Sequence, residues 1–188
     1  MCAKEGKLME LKILYSGNKN EFDYNIANHV SLNGHIEVLK WLANLQPPIL
    51  PTQGGANLAA GYGHFEVSRF LATQQPPILS NQSGADLAAE KGHLEVLRFL
   101  ATRQPPILPD ERGANLAAGN GHFEVLRFLA TQQPPILPDE DGANMAAYNG
   151  HLEVLKWLAN LQPPILPNEE DMAAELEFSM NSSILYNE

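Results

Sequence analysis

The sequence predicts an all-α fold, an α-solenoid in which helix-turn-helix repeats stack side by side. Three observations support this prediction. A Gly-His pair and a Pro-Pro-Ile-Leu phrase each recur at a step of 29 residues. Apolar residues within a repeat follow a helical period, and prolines separate one repeat from the next. One helical hairpin cannot bury its apolar side alone, so each unit must offer its neighbour the same surface.

The repeats divide the chain into three parts. Five units cover residues 24–168, and they span 24–52, 53–81, 82–110, 111–139 and 140–168. Residues 1–23 contain GKLMELKIL, a degraded copy of GHLEVLKWL, and are predicted to be an N-terminal capping half-repeat. The stretch NEEDMAAELEF matches the start of a unit with two residues lost, so residues 169–188 are predicted to be a C-terminal capping helix and tail.

The third unit shows what one repeat is expected to form. A short first helix fits ADLAAEK, and Gly92 can adopt the left-handed conformation that ends it. A longer second helix is predicted from Leu94, because its apolar residues fall on one side at helical spacing. Gln104 precedes two prolines, which should stop this helix. The segment PPILPDE is expected to be an extended or polyproline-like link whose Ile and Leu tuck under the helices.

An aromatic residue occupies one position of the second helix in every unit. These residues are Trp41, Phe70, Phe99, Phe128 and Trp157. Because a periodic aromatic beside a leucine stripe usually belongs to the core, we expect this row to be packed inside. An exposed ladder that binds a ligand is the alternative.

Composition and charge narrow the classes of function. The net charge of −10 argues against nucleic acid as partner, because that binding depends on Lys and Arg neutralising phosphates. No apolar run approaches the roughly 18 residues of a membrane-spanning helix, and MCAKEGKLMELK lacks a signal-peptide layout. The sequence therefore predicts a soluble protein without a membrane partner, located in the cytoplasm of its producing cell or of a host.

The residues do not form a pattern typical of catalysis. Stacked helices lie about 8–10 Å apart, whereas zinc needs each ligand nitrogen within about 2.1 Å. The turn histidines are therefore expected to bond backbone carbonyls rather than a metal. Catalysis would need a unique constellation of side chains, but the most distinctive groups here are repeated. We expect no enzyme activity, no cofactor and no metal.

If the repeat is a scaffold, binding residues should lie where the copies differ. The copies differ just before the Gly-His turn and just before the first helix, and these two sets are expected to form neighbouring rows on one side of the stack. Neutral drift at exposed sites is the alternative, but tyrosines among them favour binding. The partner-binding residues predicted here are Tyr62, Lys91, Asp110, Glu111, Arg112, Asn120, Asp139, Glu140, Asp141, Tyr148 and Asn149.

Two stretches carry a resemblance to a known family. LAAGNGHFEVLRFLA (116–130) and MAAYNGHLEVLKWLA (145–159) resemble the ankyrin repeat. The resemblance covers residues 24–168 and, more weakly, both caps. It implies a solenoid with short inner and longer outer helices and a role in binding other proteins. The unit is shorter than the family's length of about 33 residues and lacks its Thr-Pro-Leu-His motif, so the family's β-hairpin fingers are not expected. Short repeats of this kind are similar to those of large DNA viruses and amoeba-associated bacteria, which points to a host-directed protein.

Two functional hypotheses follow, and an enzyme is the third and weakest. The first is a protein-protein interaction module, a scaffold or adaptor whose acidic groups from Asp110 to Glu170 steer a basic surface toward it. The second is a structural protein that assembles with itself, because near-identical units suit a lattice.

Overall fold

A computed structural model describes the chain over residues 2–168. Every regular element in this range is helical, which confirms the all-α prediction. In chain order the elements are α1 (Cys2–Gly17), a 3-10 helix (Lys19–Glu21), α2 (Tyr24–Leu32), α3 (Ile36–Ala43), α4 (Gln53–Gly61), α5 (Phe65–Leu71), α6 (Gln82–Glu90), α7 (Leu94–Ala101), α8 (Glu111–Gly119), α9 (Phe123–Ala130), α10 (Glu140–Tyr148) and α11 (Leu152–Ala159).

The helices form two layers that follow the order of the chain. Helices α2, α4, α6, α8 and α10 form the inner layer, in which each helix packs on the next. Each inner helix also packs on the outer helix that follows it, α3, α5, α7, α9 or α11. Residues one repeat apart are therefore neighbours in space, as the solenoid prediction requires.

The core lies between the two layers. The inner helices contribute small side chains to it, and the outer helices contribute large ones. Inner helix α6 contributes Ala85, Ala88 and Ala89, which are fully buried. Outer helix α7 contributes Leu97 and Leu100, also buried, and each such leucine stabilises the fold by about 1.5–3 kcal/mol. Alanine on the inner helices lets their backbones approach closely, so the same two-sided pattern can recur in every unit.

The predicted relative lengths of the helices are wrong. Inner helix α6 has nine residues, whereas outer helix α7 has eight. The inner helix begins at Gln82, before the predicted ADLAAEK segment, because the chain already turns helical after Asn81. The outer helix ends at Ala101 rather than at the prolines, because the Leu100 carbonyl accepts hydrogen bonds from both Arg103 N and Ile107 N, each at 3.1 Å.

The links and the aromatic row complete the core. The isoleucine of each link packs against the core, as predicted. Every Gln-Pro bond of the five links is cis.

The aromatic row is half-buried against the core, which agrees with the packed alternative. Its rings contact the preceding outer helix: the centroids of Phe99 and Phe65 are 5.6 Å apart, and those of Trp157 and Phe123 are 6.0 Å apart.

Helix α1 covers the N-terminal side of the first unit. Its Leu8 and Leu11 pack against the core of the first two units. The Tyr15 ring lies edge-on to Phe22 at 5.1 Å and to Trp41 at 5.5 Å between centroids. That residues 1–23 form a capping half-repeat stays a prediction. The C-terminal cap predicted for 169–188 lies outside the described residues.

The Gly-His turns join each unit to the one before it. All five turn glycines have φ between 67° and 77°, where a residue with a side chain is strained. The histidine of the next unit lies directly on the glycine: a Cβ placed on Gly92 would be 2.6 Å from Nδ1 of His122. The glycine therefore serves both the turn and the contact between units.

Replacing Gly92 by alanine should cost more than the same change at Gly150. Both variants incur left-handed strain of about 1–2 kcal/mol. Only Gly92→Ala also displaces a histidine, because no described atom lies within 4 Å of a Cβ on Gly150. We expect Gly92→Ala to lower the free energy of unfolding by about 1–3 kcal/mol more than its control. Urea unfolding followed by circular dichroism measures the difference, and equal losses would contradict the contact between units.

Candidate functional site

The predicted partner-binding residues lie on the inner-helix layer, but their two rows are not neighbours. One row, called the N-terminal row, lies at the N-terminal ends of α8 and α10. The other, called the C-terminal row, lies at the C-terminal ends of α4, α6, α8 and α10. A nine-residue helix is about 13 Å long at a rise of about 1.5 Å per residue. The predicted adjacency is therefore wrong, because the whole inner helix separates the rows.

The C-terminal row presents two tyrosines and a lysine to solvent. Tyr148 ends α10 and is 85% exposed, and Tyr62 follows α4 and is 46% exposed. The Nζ of Lys91 lies 5.1 Å from the centroid of the Tyr62 ring in the preceding unit, a distance that suits a cation–π contact. These side chains give the row both aromatic area and hydrogen-bonding groups.

The two asparagines of the C-terminal row hold the scaffold together. Asn120 donates from Nδ2 to the Leu116 carbonyl of its own helix at 2.8 Å. Asn149 donates from Nδ2 to the Gly119 carbonyl of the preceding unit at 2.7 Å. The Leu116 carbonyl also accepts from Asn120 N at 3.0 Å, whereas the Gly119 carbonyl lies at the C-terminal end of α8, where intrahelical partners run out. Their contribution is structural in these contacts.

The N-terminal row divides in the same way. Asp110 and Asp139 are N-caps: Oδ1 of Asp110 accepts from Gly113 N at 3.3 Å, and Oδ1 of Asp139 accepts from Asp141 N at 2.8 Å. These bonds satisfy free N–H groups at the starts of α8 and α10. The side chains of the first turns are exposed, and they are those of Glu111, Arg112, Glu140 and Asp141. Glu140 and Asp141 make the N-terminal end of α10 acidic.

A row of polar side chains inside the inner helices was missed by sequence reasoning. The Oδ1 atom of one residue in each inner helix accepts a hydrogen bond from a backbone N–H 24 residues later, at the last residue of the unit. In the first four units that last residue is the N-cap of the next inner helix. We call this set the clamp row; it consists of Asn28, Asn57, Asp86, Asn115 and Asn144. Its bonds measure 2.7–3.0 Å. The repeated Asn of GAN is the signal that could have revealed it.

Asp86 is the exception in the clamp row. Asn115 also donates from Nδ2 to Oδ1 of Asp139 at 2.8 Å, which a carboxylate at the equivalent position cannot do. Burial raises the pKa of the Asp86 carboxyl above its ordinary value, and the charge of Asp110 raises it further. The hydrogen bond from Asp110 N and the charge of Arg112 oppose this shift without cancelling it. Asp86 and Asp110 therefore place two like charges close together at the start of α8.

Two turn histidines, His64 and His122, bond to carbonyls of the preceding unit. His64 donates from Nε2 to the Leu32 carbonyl at 2.7 Å, across 32 residues of sequence. Burial lowers the pKa of His93, and the charges of His122 and His64 lower it further. Burial also lowers the pKa of His122, although a hydrogen bond with the Glu90 carbonyl opposes the shift. The lowered pKa values of His93 and His122 mean that burial in the packed turns favours the neutral imidazole over the charged one.

Two open grooves of about 330 Å³ each lie between neighbouring units. One is lined at the turn end by His122, Glu124 and Glu153, and the other lies between successive links, beside Asn81 and Gln104. Within the described part of the chain, no three His, Cys, Asp or Glu side chains are placed to hold a metal ion. None of the helices between residues 2 and 168 has the length and hydrophobicity that crossing a membrane demands.

Comparison with known proteins gives no relative from which a function could be transferred. No protein-family model matches the sequence, and no curated protein matches it. The function is therefore inferred from the described residues: a constant framework of turn and clamp contacts, with exposed side chains that differ from unit to unit.

Replacing Asp86 by asparagine should stabilise the protein at neutral pH. The variant removes a carboxylate that lies close to Asp110 and restores an amide donor, a gain of about 0.5–1.5 kcal/mol in the free energy of unfolding. Because the folded-state pKa of Asp86 is raised, the wild type loses stability as pH rises through the ordinary range of aspartate toward that value. The advantage of Asp86→Asn is therefore full at neutral pH and shrinks as acidification protonates Asp86.

The matched control is Asn115→Asp, which creates the same pair of carboxylates one unit later, against Asp139. It should destabilise by a similar amount at neutral pH. Urea unfolding at several pH values measures both variants. A destabilising effect of Asp86→Asn at neutral pH would contradict the assignment.

Proposed function

We propose that the protein is a protein-protein interaction module, a scaffold or adaptor that binds its partner through the exposed ends of its inner helices. One observation carries this proposal. Turn and clamp residues serve the same contacts in successive units, whereas the exposed side chains at the helix ends differ from copy to copy. A framework that repeats while its exposed residues vary suits recognition of one particular partner.

The surface offered to the partner is smaller than the set predicted from sequence. Asp110, Asp139, Asn120 and Asn149 hold helix ends, so they contribute to binding indirectly. The remaining side chains supply acidic groups at one end of the inner helices and aromatic area at the other: Glu111, Arg112, Glu140, Asp141, Tyr62, Lys91 and Tyr148. A basic protein surface complements the acidic end, and it would be steered there by charge.

Resemblance to the ankyrin repeat supports the same proposal. The helix pair, the Gly-His turn and the LAA and EV phrases recur in register in this chain. Proteins built from ankyrin repeats bind other proteins rather than catalyse reactions. We therefore propose an ankyrin-like adaptor that acts in the cytoplasm, either of the producing cell or of a host that receives it.

Charge reversal at Glu140 and Asp141 tests the acidic end of this surface. A partner captured from a lysate of the producing cells on the full-length chain should associate about tenfold more slowly with Glu140→Lys/Asp141→Lys at low salt, with a flatter salt dependence. Asp139 is left unchanged because it caps α10. Association rates from surface plasmon resonance at several salt concentrations give the comparison.

The control is Glu95→Lys/Glu153→Lys, which makes the same change of charge on the outer layer. Both glutamates are exposed and lie in the first turns of their helices, so the effect on the helix dipole is matched. The control should bind as the wild type does. Equal rates for all three proteins would exclude the acidic end from the interface.

Self-assembly is the second candidate, and a separate observation favours it. The Gln-Pro-Pro residues that start each link are identical in all five units and exposed in each. A surface with the same residues at regular spacing fits a partner with the same period, such as a second copy of this chain. Light scattering over a concentration series separates the candidates, because ordered multimers favour self-assembly and a persistent monomer favours the adaptor.

A further inference from the structure

The hydrophobic core of residues 2–168 is divided in two. One cluster of buried residues joins the first two units and runs from Ala27 to Leu71. The other joins the third to fifth units and runs from Ala85 to Leu158, with Ala60 of the second unit as its only member from the first half. The two clusters meet in the second unit: Ala59 of α4 belongs to the first cluster, whereas Ala60 belongs to the second and Phe65 of α5 packs against it.

A serine occupies the position where the division occurs. Ser68 of α5 stands where the other units carry Leu39, Leu97, Leu126 and Leu155. It is only 7% exposed, whereas the first three of those leucines are 0% exposed. Its Oγ has no hydrogen-bond partner among the described residues. The site therefore loses the packing of a leucine and also buries an unsatisfied hydroxyl, and both effects destabilise a core.

Inner helix α4 of the second unit is also less favoured than the inner helices after it. Helix α4 reads QGGANLAAG, and its three glycines disfavour the helical state. Thr52 does not cap α4 with a side-chain hydrogen bond, whereas Asp23 caps α2, Asp110 caps α8 and Asp139 caps α10. Helix α4 of the second unit is therefore weak, in addition to the defect at Ser68.

Several contacts still cross the junction between the second and third units, among them those of Lys91 with Tyr62 and of His93 with Gly63. The rings of Phe65 and Phe99 meet edge to face. Leu87 packs so closely on Gly61 that no side chain would fit there, and Oδ1 of Asn57 accepts from Asn81 N at 2.9 Å. The two halves are thus held in register in the folded state.

We propose that the stack consists of two cooperative blocks, and that the N-terminal block, which contains the first two units, opens before the C-terminal block of units three to five. In a repeat protein each unit contacts only its neighbours, so one weak interface is enough to separate cooperative blocks. Local opening then has a lower free energy than global unfolding. Ser68 and the glycine-rich α4 place the weak point in the second unit.

The two tryptophans of the chain report on the two blocks separately. Trp41 lies in the first unit and Trp157 in the fifth, and the three units between them carry phenylalanine at the same position. Trp157→Phe and Trp41→Phe therefore introduce a residue that the repeat already uses. In urea, the fluorescence of Trp41 in the first variant should change at a midpoint about 1 M below that of Trp157 in the second.

Ser68→Leu tests the cause of the separation. In the Trp41 reporter it should raise the midpoint by about 1 M urea, toward that of Trp157. Ser68→Ala removes the unsatisfied hydroxyl without adding volume, and it should raise the Trp41 midpoint by a smaller amount. Leu126→Ser is the matched control, because it places the same defect in the C-terminal block; it should lower the Trp157 midpoint and leave the Trp41 midpoint unchanged.

Coincident midpoints for Trp41 and Trp157 in the two single-tryptophan reporters, both with Ser68 unchanged, would overturn the proposal, since the chain would then unfold as one block. Separate midpoints that neither Ser68→Leu nor Ser68→Ala moves would also overturn it, because Ser68 would not be the origin of the division.

Discussion

The contact between the turn of one unit and the histidine of the next is the constraint on which the rest of the structure depends. A glycine with positive φ leaves room for the ring, and in the second unit the ring bonds back to a carbonyl of the first. The clamp row supplies a second set of contacts, nearer the N-terminal ends of the inner helices. There a side chain of one inner helix accepts a hydrogen bond from the backbone N–H directly before the next inner helix. With both ends tied, neighbouring helices keep their register and the alanine faces of the inner layer can meet.

The same constraint separates residues that build the stack from residues that are open to a partner. Asp139 caps its helix and accepts a hydrogen bond from Asn115, so its carboxylate is already committed within the fold. Glu140 and Asp141, directly after it, face solvent. Adjacent acidic residues thus have different roles, and only the exposed ones can change without cost to the framework. Specificity for a partner can then evolve in a few side chains per unit.

The 29-residue repeat in the sequence was sufficient to predict the helix pairs, the turn glycines, the buried leucines and the order in which the units stack. It could not predict where the helices end, because α7 stops when the Ile107 N–H returns to the Leu100 carbonyl. It also missed the clamp row, since an asparagine on a helix does not reveal that its partner lies 24 residues later. The partner-binding rows were placed too close together for a related reason, because α8 begins at Glu111 and puts a full helix between Arg112 and Asn120.

Contacts between each turn histidine and the preceding turn glycine are the most direct test of this account. Nuclear Overhauser effects between imidazole protons and glycine Hα protons report such proximity in solution without any substitution. The account predicts cross-peaks for four pairs, namely His64 with Gly34, His93 with Gly63, His122 with Gly92 and His151 with Gly121. Histidine rings that show cross-peaks only to residues of their own unit would contradict the stacking of neighbouring repeats.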